Sequence, residues 1–335
     1  MLLVQILLGG ITRLTGSGLS ITEWNVVTGT LPPLNEQKWM EEFEKYKLTP
    51  QFLFLNFDFQ LQDFKTIFFW EWLHRFWARF MGFVFVLPFI IFLFQKRVKA
   101  TMIKPLIILF FLGALQGAIG WIMVASGLTG DAIYVKPIRL ALHFIFAMGL
   151  LCYTFWFALQ LTVSEKQKIK SSLLHNFSIT IISTLLIQFI YGALMAGHKA
   201  AAGAPTWPDI NGELIPEKLF HPTLNLLSLV KDKTTLHFIH RTLAYLIFVL
   251  IVIWTTKANR IKSDNLFSYI KFIPIVLVII QLGLGVFSVL TSQQIIPNSW
   301  GVFEWMAQLH QFVAMLLLLS FVWMLILSRS KNNIV

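Results

Sequence analysis

Seven apolar runs constrain the fold of this 335-residue chain more than any other feature of its sequence. A helix needs about 20 consecutive apolar residues to cross the hydrocarbon core of a bilayer, and each run is long enough to do so. The composition agrees, since 56% of the residues are hydrophobic and only 13% are charged. The sequence therefore predicts an all-α, polytopic membrane protein. The runs lie at residues 71–94, 103–126, 138–161, 177–197, 236–256, 272–291 and 303–327.

Residues 1–11 are also apolar, but they are too few for a full crossing. At 1.5 Å per residue they form about 16 Å of helix, which is about half of a bilayer. We interpret this segment as the outer half of an eighth transmembrane helix. Two explanations stay open at this point, namely a start further upstream and an unusually short helix.

Basic residues are concentrated at alternate helix connections. The chain has 27 basic and 16 acidic residues, a net charge of +11, and the two kinds balance outside four connecting segments. An excess of Lys and Arg in alternate connections is typical of cytoplasmic loops. We therefore expect both termini in the cytoplasm and no nucleic-acid partner. The basic segments lie around residues 96–104, 165–170, 257–271 and 329–331.

An internal repeat divides the chain into two halves. Elements of the first half recur in the second at nearly constant offsets, except that the first pair is further apart because the first outer loop is longer. We predict two tandem four-helix bundles, residues 1–170 and 171–335, related by a pseudo-twofold axis along the membrane normal. The recurring elements are Gln5 and Gly9 with Gln188 and Gly192, His74-Arg75 with His240-Arg241, Gln116 and Gly120 with Gln281 and Gly285, and His143 with His310.

The repeated histidines, His74, His143, His240 and His310, each lie a few residues inside a helix that enters from the outer side, so they form one layer near the outer face. Imidazole pairs across a four-helix bundle are natural axial ligands of heme. A single membrane histidine is more often a hydrogen-bonding residue at a helix interface, but four at equivalent depths favour ligands. Zinc is less favoured, because structural zinc usually recruits Cys or closely spaced ligands. We assign no ligand role to His175, His198, His221, His237 or Cys152.

Glu71 is the part of this pattern that the two halves do not share. An ionisable group inside a bilayer is functional by default, and the residue equivalent to Glu71 in the second half is His237. The asymmetry suggests one half that reacts and one that carries electrons or supports the fold. Arg75 and Arg241 could pair with heme propionates, or they could extend to the membrane interface as snorkelling side chains.

The first outer loop contains a predicted helix after Pro32-Pro33. Asn35 is a suitable N-cap, and Trp39, Met40, Phe43 and Tyr46 share one face of the helix. This pattern fits an amphipathic helix on the outer membrane surface and fits a solvent-exposed loop helix equally well.

Glu71, His74, His240 and His310 lie in motifs that resemble the heme A synthase family, and the resemblance covers nearly the whole chain. Loop cysteine pairs of one branch of that family are absent here, so the sequence is more similar to the proteobacterial and mitochondrial branch. The motifs are Gly-Gly-Ile-Thr-Arg-Leu-Thr-Gly-Ser-Gly-Leu-Ser at 9–20, Glu-Trp-Asn-Val-Val-Thr-Gly-Thr-Leu-Pro-Pro at 23–33, Glu-Phe-Glu-Lys-Tyr-Lys at 42–47, Glu-Trp-Leu-His-Arg at 71–75, Pro-Thr-Trp-Pro-Asp-Ile-Asn-Gly at 205–212, His240-Arg241 and His310-Gln311.

The resemblance implies an oxidoreductase that converts heme O to heme A for cytochrome oxidase, by oxidising a ring methyl group to a formyl group through successive hydroxylations. It implies that His240 and His310 bind heme B, that His74 and His143 surround the substrate heme, and that Glu71 is the catalytic carboxylate. It also implies a bacterial cytoplasmic membrane, the heme O-producing enzyme and oxidase assembly factors as partners, an unidentified electron acceptor, and a homo-oligomer as one possible state. The rival is a diheme, quinol-linked electron-transfer cytochrome that leaves its heme unmodified. The presence of Glu71 in one half only favours the enzyme.

Overall fold

The computed structural model describes residues 1–24, 28–220, 226–296 and 299–329. Within these residues the chain is helical and contains no β-strand, and one isolated bridge pairs Ile210 with Glu213. The all-α prediction is confirmed for this part of the chain. The α-helices are α1 (Leu2–Leu14), α2 (Glu36–Lys47), α3 (Pro50–Leu55), α4 (Leu61–Phe94), α5 (Ala100–Ala125), α6 (Pro137–Thr162), α7 (Ser172–Gly197), α8 (Ser228–Lys231), α9 (Lys233–Asn259), α10 (Leu266–Ile270), α11 (Ile273–Leu290) and α12 (Val302–Leu327).

Seven helical segments of the described chain are long and apolar enough to cross a membrane. They are α4, α5, α6, α7, α9, the segment Leu266–Leu290 formed by α10 and α11, and α12, and each overlaps one of the predicted apolar runs. The helix α1 is also apolar but has only 13 residues. These segments indicate a multi-pass membrane protein.

The helix α4 begins at Leu61, ten residues before the apolar run that predicted it. Asp63 explains the early start, because its carboxylate accepts a hydrogen bond from the backbone N–H of Gln60 at 2.9 Å and so caps the helix. The added turns carry Phe64, Ile67 and Phe68, which are buried against the segment that joins α1 to α4. Polar residues precede and separate these apolar ones, so a search for continuous apolar runs does not detect this part of the helix.

The first compact unit comprises residues 1–147 and 296–300. In it, α1 packs along α4, and α2 packs on the first turns of α4. The prediction of a helix capped by Asn35 is confirmed, since the Asn35 side chain accepts a hydrogen bond from Lys38 N at 2.9 Å. Its apolar face, however, packs on protein, because Phe43 and Tyr46 are buried against Phe64.

The second compact unit comprises residues 148–295 and the chain from Gly301 onward. In it, α7 packs against α9 and α12, and α11 packs against the same two helices. Trp254 of α9 is fully buried and donates from Nε1 to Ser178 Oγ at 3.0 Å. Half of the most apolar window of α12 is buried, whereas none of the corresponding windows of α4 and α5 is buried. The second unit is therefore the more tightly packed of the two.

Candidate functional site

The four repeated histidines each face a glutamine and a glycine on a neighbouring helix. We call each such trio a histidine seat, and in every seat the glycine follows the glutamine by four residues, so that both lie on one face of their helix. The first unit contains two seats and the second unit contains the other two. The seats are His74 with Gln5 and Gly9, His143 with Gln116 and Gly120, His240 with Gln188 and Gly192, and His310 with Gln281 and Gly285.

In the first unit, the glutamine amide of each seat contacts both the imidazole and the backbone of its histidine. The Gln5 Nε2 lies 3.1 Å from His74 Nδ1 and donates to the main-chain oxygen of His74 at 3.2 Å. The Gln116 Nε2 lies 3.2 Å from His143 Nδ1 and donates to the main-chain oxygen of His143 at 3.0 Å. Each amide therefore binds the histidine at two points.

The seats of the second unit use the same residues with small differences. The Gln188 Nε2 lies 3.3 Å from His240 Nε2 and donates to the main-chain oxygen of His240 at 3.0 Å. The Gln281 Nε2 lies 3.0 Å from Nδ1 and 3.1 Å from Nε2 of His310. His310 Nδ1 also lies 3.1 Å from the main-chain oxygen of Gln281, as expected for an N–H donor at that nitrogen.

Each glycine is needed because its histidine ring approaches the backbone closely. A Cβ atom added to the glycine would lie 2.8–3.2 Å from the histidine Cε1 in all four seats, and any larger residue would push the ring aside. The tightest approach is at Gly120, where the added atom would lie 2.8 Å from Cε1 of His143.

The rings of His240 and His310 have the separation expected for two ligands of one metal ion. Their centres are 6.4 Å apart and their planes are inclined at 62°. Two imidazoles on opposite sides of a metal, each with a metal–nitrogen distance of about 2.0–2.1 Å, place their ring centres about 6.4 Å apart. The described residues contain no group of three or more His, Cys, Asp or Glu side chains that could hold a metal ion. Two histidines alone suit an iron whose remaining ligands come from a porphyrin, so these residues fit a heme.

Glu71 lies one turn before His74 on α4 and is 2% exposed. Its Oε1 forms an ion pair with Arg75 Nη2 at 2.5 Å. Its Oε2 accepts hydrogen bonds from Ser20 Oγ at 2.7 Å and from the backbone N–H of Ile21 at 2.9 Å. The carboxylate therefore holds the α1–α4 connection against α4, close in sequence to His74.

Arg75 and Arg241 both bind main-chain oxygens of the connection that precedes their helix. Arg75 donates to Ile21 O at 3.1 Å and to Glu23 O at 3.2 Å. Arg241 donates to three carbonyl groups of the α7–α9 connection, and its buried Nε has no hydrogen-bond partner in the described part of the chain. Those three carbonyl oxygens belong to Ala204 at 2.8 Å, Thr206 at 3.0 Å and Asp209 at 2.7 Å.

The other described histidines, His175, His198 and His237, bind main-chain carbonyl groups. His237, which the predicted repeat aligns with Glu71, is buried and its Nε2 lies 2.8 Å from Ala200 O. His175 Nδ1 lies 3.1 Å from Leu325 O, and His198 Nε2 lies 2.9 Å from Val230 O. His221 and residues 25–27 of the 23–33 motif lie outside the described residues.

Beside Arg75, the first unit contains a cavity of about 280 Å³. Trp24 and Trp121 line it with ring centres 6.3 Å apart, and the Arg75 guanidinium lies 5.3 Å from the Trp24 ring centre. Sequence reasoning missed this cavity, as it missed the contact between each glutamine and its histidine. The recurrence of Gln-x-x-x-Gly was a usable signal for the glutamines, but the sequence does not show which helix each pair faces.

Comparison with known proteins adds to this geometry. Residues 1–322 match the COX15-CtaA family, described as cytochrome oxidase assembly protein. Similar proteins named heme A synthase occur in Flavobacterium johnsoniae, with 40% identity over 95% of this chain and 92% of the relative, and in Wolbachia pipientis, with 40% identity over 87% and 81%. A third, from a Bradyrhizobium species, is 38% identical over 94% of this chain and 84% of the relative. No solved structure matches the chain significantly.

Proposed function

The chain belongs to the COX15-CtaA family, and from this premise we propose that it is a heme A synthase, a membrane oxidoreductase that converts heme O to heme A. The observation that carries the proposal is identity of about 40% to proteins of that name across nearly the whole chain. The reaction replaces two hydrogen atoms of a ring methyl group with one oxygen atom, so protons and electrons must leave the substrate. The histidine seats and Glu71 are the groups that suit this chemistry.

The proposed architecture is eight transmembrane helices in two tandem four-helix halves, residues 1–170 and 171–335. In it, α1 is the short eighth crossing. Two observations support this arrangement. The four seats repeat the same trio of residues in chain order, and Arg75 and Arg241 bind the preceding connection in the same way.

The proposed cofactor site for heme B lies between His240 and His310. The ring separation of 6.4 Å supports it, and so does the close packing of α9, α11 and α12 in the second unit. When bound, heme B supplies one-electron redox chemistry. The two histidines would hold the iron from two helices, and the buried Nε of Arg241, which has no hydrogen-bond partner among the described residues, suits a propionate.

The proposed substrate site for heme O lies at His74 and His143. The cavity of about 280 Å³ beside Arg75, in the same unit as these two histidines, supports a ligand site in this half. Glu71 acts in this half as the group that accepts a proton or stabilises positive charge. Each carboxylate oxygen has two lone-pair positions, so Glu71 can accept a further proton while the α1–α4 connection stays bound.

The protein is proposed to lie in a bacterial cytoplasmic membrane with both termini in the cytoplasm and the four seats near the outer face. The excess of basic residues at alternate helix connections supports this orientation. The proposed partners are the heme O-producing enzyme, cytochrome oxidase assembly factors and an electron acceptor. A homo-oligomer is compatible with this assignment, and no nucleic acid takes part.

The test is to express the full chain in a membrane with a source of heme O and to analyse the extracted hemes by mass. The proposal predicts hydroxylated and formyl products. Unchanged heme O beside intact bound heme B would overturn it in favour of a diheme electron-transfer cytochrome, which the similarity of the two pairs of seats would also suit.

A further inference from the structure

The glutamine amides do not bind their histidines as simple hydrogen-bond caps. In three seats the amide nitrogen is almost equally distant from both ring nitrogens, at 3.1 and 3.4 Å for His74, 3.2 and 3.4 Å for His143, and 3.0 and 3.1 Å for His310. A donor that capped one nitrogen in the ring plane would lie much further from the other nitrogen. The amide therefore lies across the face of the imidazole, where it does not obstruct a metal bound in the ring plane.

Two further contacts fix the ring relative to the neighbouring helix. In three seats the same amide nitrogen donates a hydrogen bond of 3.0–3.2 Å to the main-chain oxygen of the histidine. This bond holds the amide in place against that residue. In all four seats the glycine backbone abuts Cε1, the ring atom between the two nitrogens. The amide thus bounds one face of the imidazole in the seats of His74, His143 and His310, and the glycine bounds one edge of the ring in all four seats.

The glutamines carry a polar atom that the fold itself does not use. In each of the four, the buried Oε1 has no hydrogen-bond partner among the residues that the structure describes. Buried amide oxygens without partners are unfavourable and infrequent. Their presence in all four seats, each beside a repeated histidine, indicates a function that packing and folding do not explain.

We propose that Gln5, Gln116, Gln188 and Gln281 are positioning residues, each of which fixes the plane of the imidazole that it faces and so tunes the iron which that histidine binds. This inference rests on the proposed assignment of the histidines as iron ligands. Groups that orient a metal-bound histidine change both the affinity and the electronic properties of the metal. The glycine four residues after each glutamine completes the seat, because its lack of a side chain lets the imidazole lie close to the helix backbone.

The test replaces one glutamine at a time in the full chain purified with its heme B. Gln188→Met and Gln281→Met keep side-chain length and remove the amide. Ile187→Met and Ile280→Met introduce the same side chain at adjacent positions that are 47% and 46% exposed. We expect the two glutamine variants to bind heme B about 10- to 100-fold more weakly and to shift its midpoint potential and its EPR g-values. The two isoleucine variants should match the wild type.

A second pair of variants tests the seat without touching an amide. Gly285→Ala places a Cβ 3.0 Å from Cε1 of His310, whereas a Cβ on Gly283 of the same helix meets no described atom within 4 Å. Gly285→Ala should shift the same g-values, and Gly283→Ala should not. If a glutamine variant loses all its heme, these two glycine variants test the inference in its place. Unchanged potential and g-values in Gln188→Met, Gln281→Met and Gly285→Ala would overturn the inference.

Heme analysis of the wild type separates this inference from the proposed function. Shifted spectra without heme A would reject the proposed function alone. Formation of heme A together with unshifted variants would reject the positioning role of the glutamines alone.

Discussion

The imidazole rings of His240 and His310 lie with their centres 6.4 Å apart and their planes inclined at 62°. If both bind one iron, then removing either should abolish a low-spin, six-coordinate heme. We expect His240→Ala and His310→Ala each to lose the low-spin spectrum of heme B. The reduced-minus-oxidised optical spectrum of the purified protein measures this loss.

His175→Ala is the matched control for these two variants. His175 lies in the same compact unit but binds the main-chain oxygen of Leu325, so its removal should leave the heme spectrum unchanged. A low-spin spectrum that persists in His240→Ala would contradict the ligand assignment.

Glu71 has two separable roles in the structure, as a candidate proton acceptor and as an anchor for the α1–α4 connection. We expect Glu71→Gln to retain heme B and to convert heme O about 10²- to 10⁴-fold more slowly, which is the usual contribution of a general acid or base. Ser20→Ala is the control, because it removes one hydrogen bond to Oε2 and keeps the carboxylate. Ser20→Ala should therefore keep most of the activity.

Product analysis by mass, together with limited proteolysis of the α1–α4 connection, distinguishes the two roles. Glu71→Gln protein that is cleaved readily in this connection but converts heme O at the wild-type rate would leave Glu71 as an anchor only.

The membrane segments could be predicted from the sequence because their length and apolarity are imposed by the bilayer. The first turns of α4 could not, because Phe64, Ile67 and Phe68 are buried by α2 and not by lipid. The histidines were identifiable from their repetition, whereas their geometry depends on contacts between different helices. Sequence reasoning assigned Arg75 to a propionate or to the interface and could not foresee its contacts with Ile21 and Glu23, since these depend on how the connection folds back.

Tyr46 gives the first compact unit a pH dependence that can be measured. Burial raises the pKa of Tyr46 to about 12, whereas an unfolded tyrosine ionises near pH 10. The folded state therefore holds the proton more tightly, and this stabilisation is fully present below pH 10 and is lost as the pH rises from 10 to about 12. A shift of this size corresponds to about 2–3 kcal/mol in the free energy of unfolding.

Thermal unfolding of the detergent-solubilised protein across this pH range measures the effect of Tyr46. Tyr46→Phe should remove this part of the alkaline destabilisation. It should also lower stability at neutral pH by about 1–3 kcal/mol, because Asn56 and Gln51 lose their hydrogen bonds to the hydroxyl group. Tyr269→Phe, at a side chain that is 80% exposed, is the control and should change neither quantity. Equal alkaline unfolding of Tyr46→Phe and wild type would show that another group is responsible.

Arg241 provides a test of what holds the α7–α9 connection in place. Its guanidinium bridges three main-chain oxygens, those of Ala204, Thr206 and Asp209, and a lysine ammonium cannot reproduce that planar, forked set of donors. We therefore expect Arg241→Lys as well as Arg241→Ala to expose residues 204–209 to proteinase K. Both should lower the free energy of unfolding by about 1–3 kcal/mol. Arg260→Ala, at an exposed arginine that caps the same helix, should do neither. Peptide mapping by mass measures the cleavage, and an Arg241→Lys protein as resistant as the wild type would mean that positive charge alone, without the guanidinium geometry, anchors the connection.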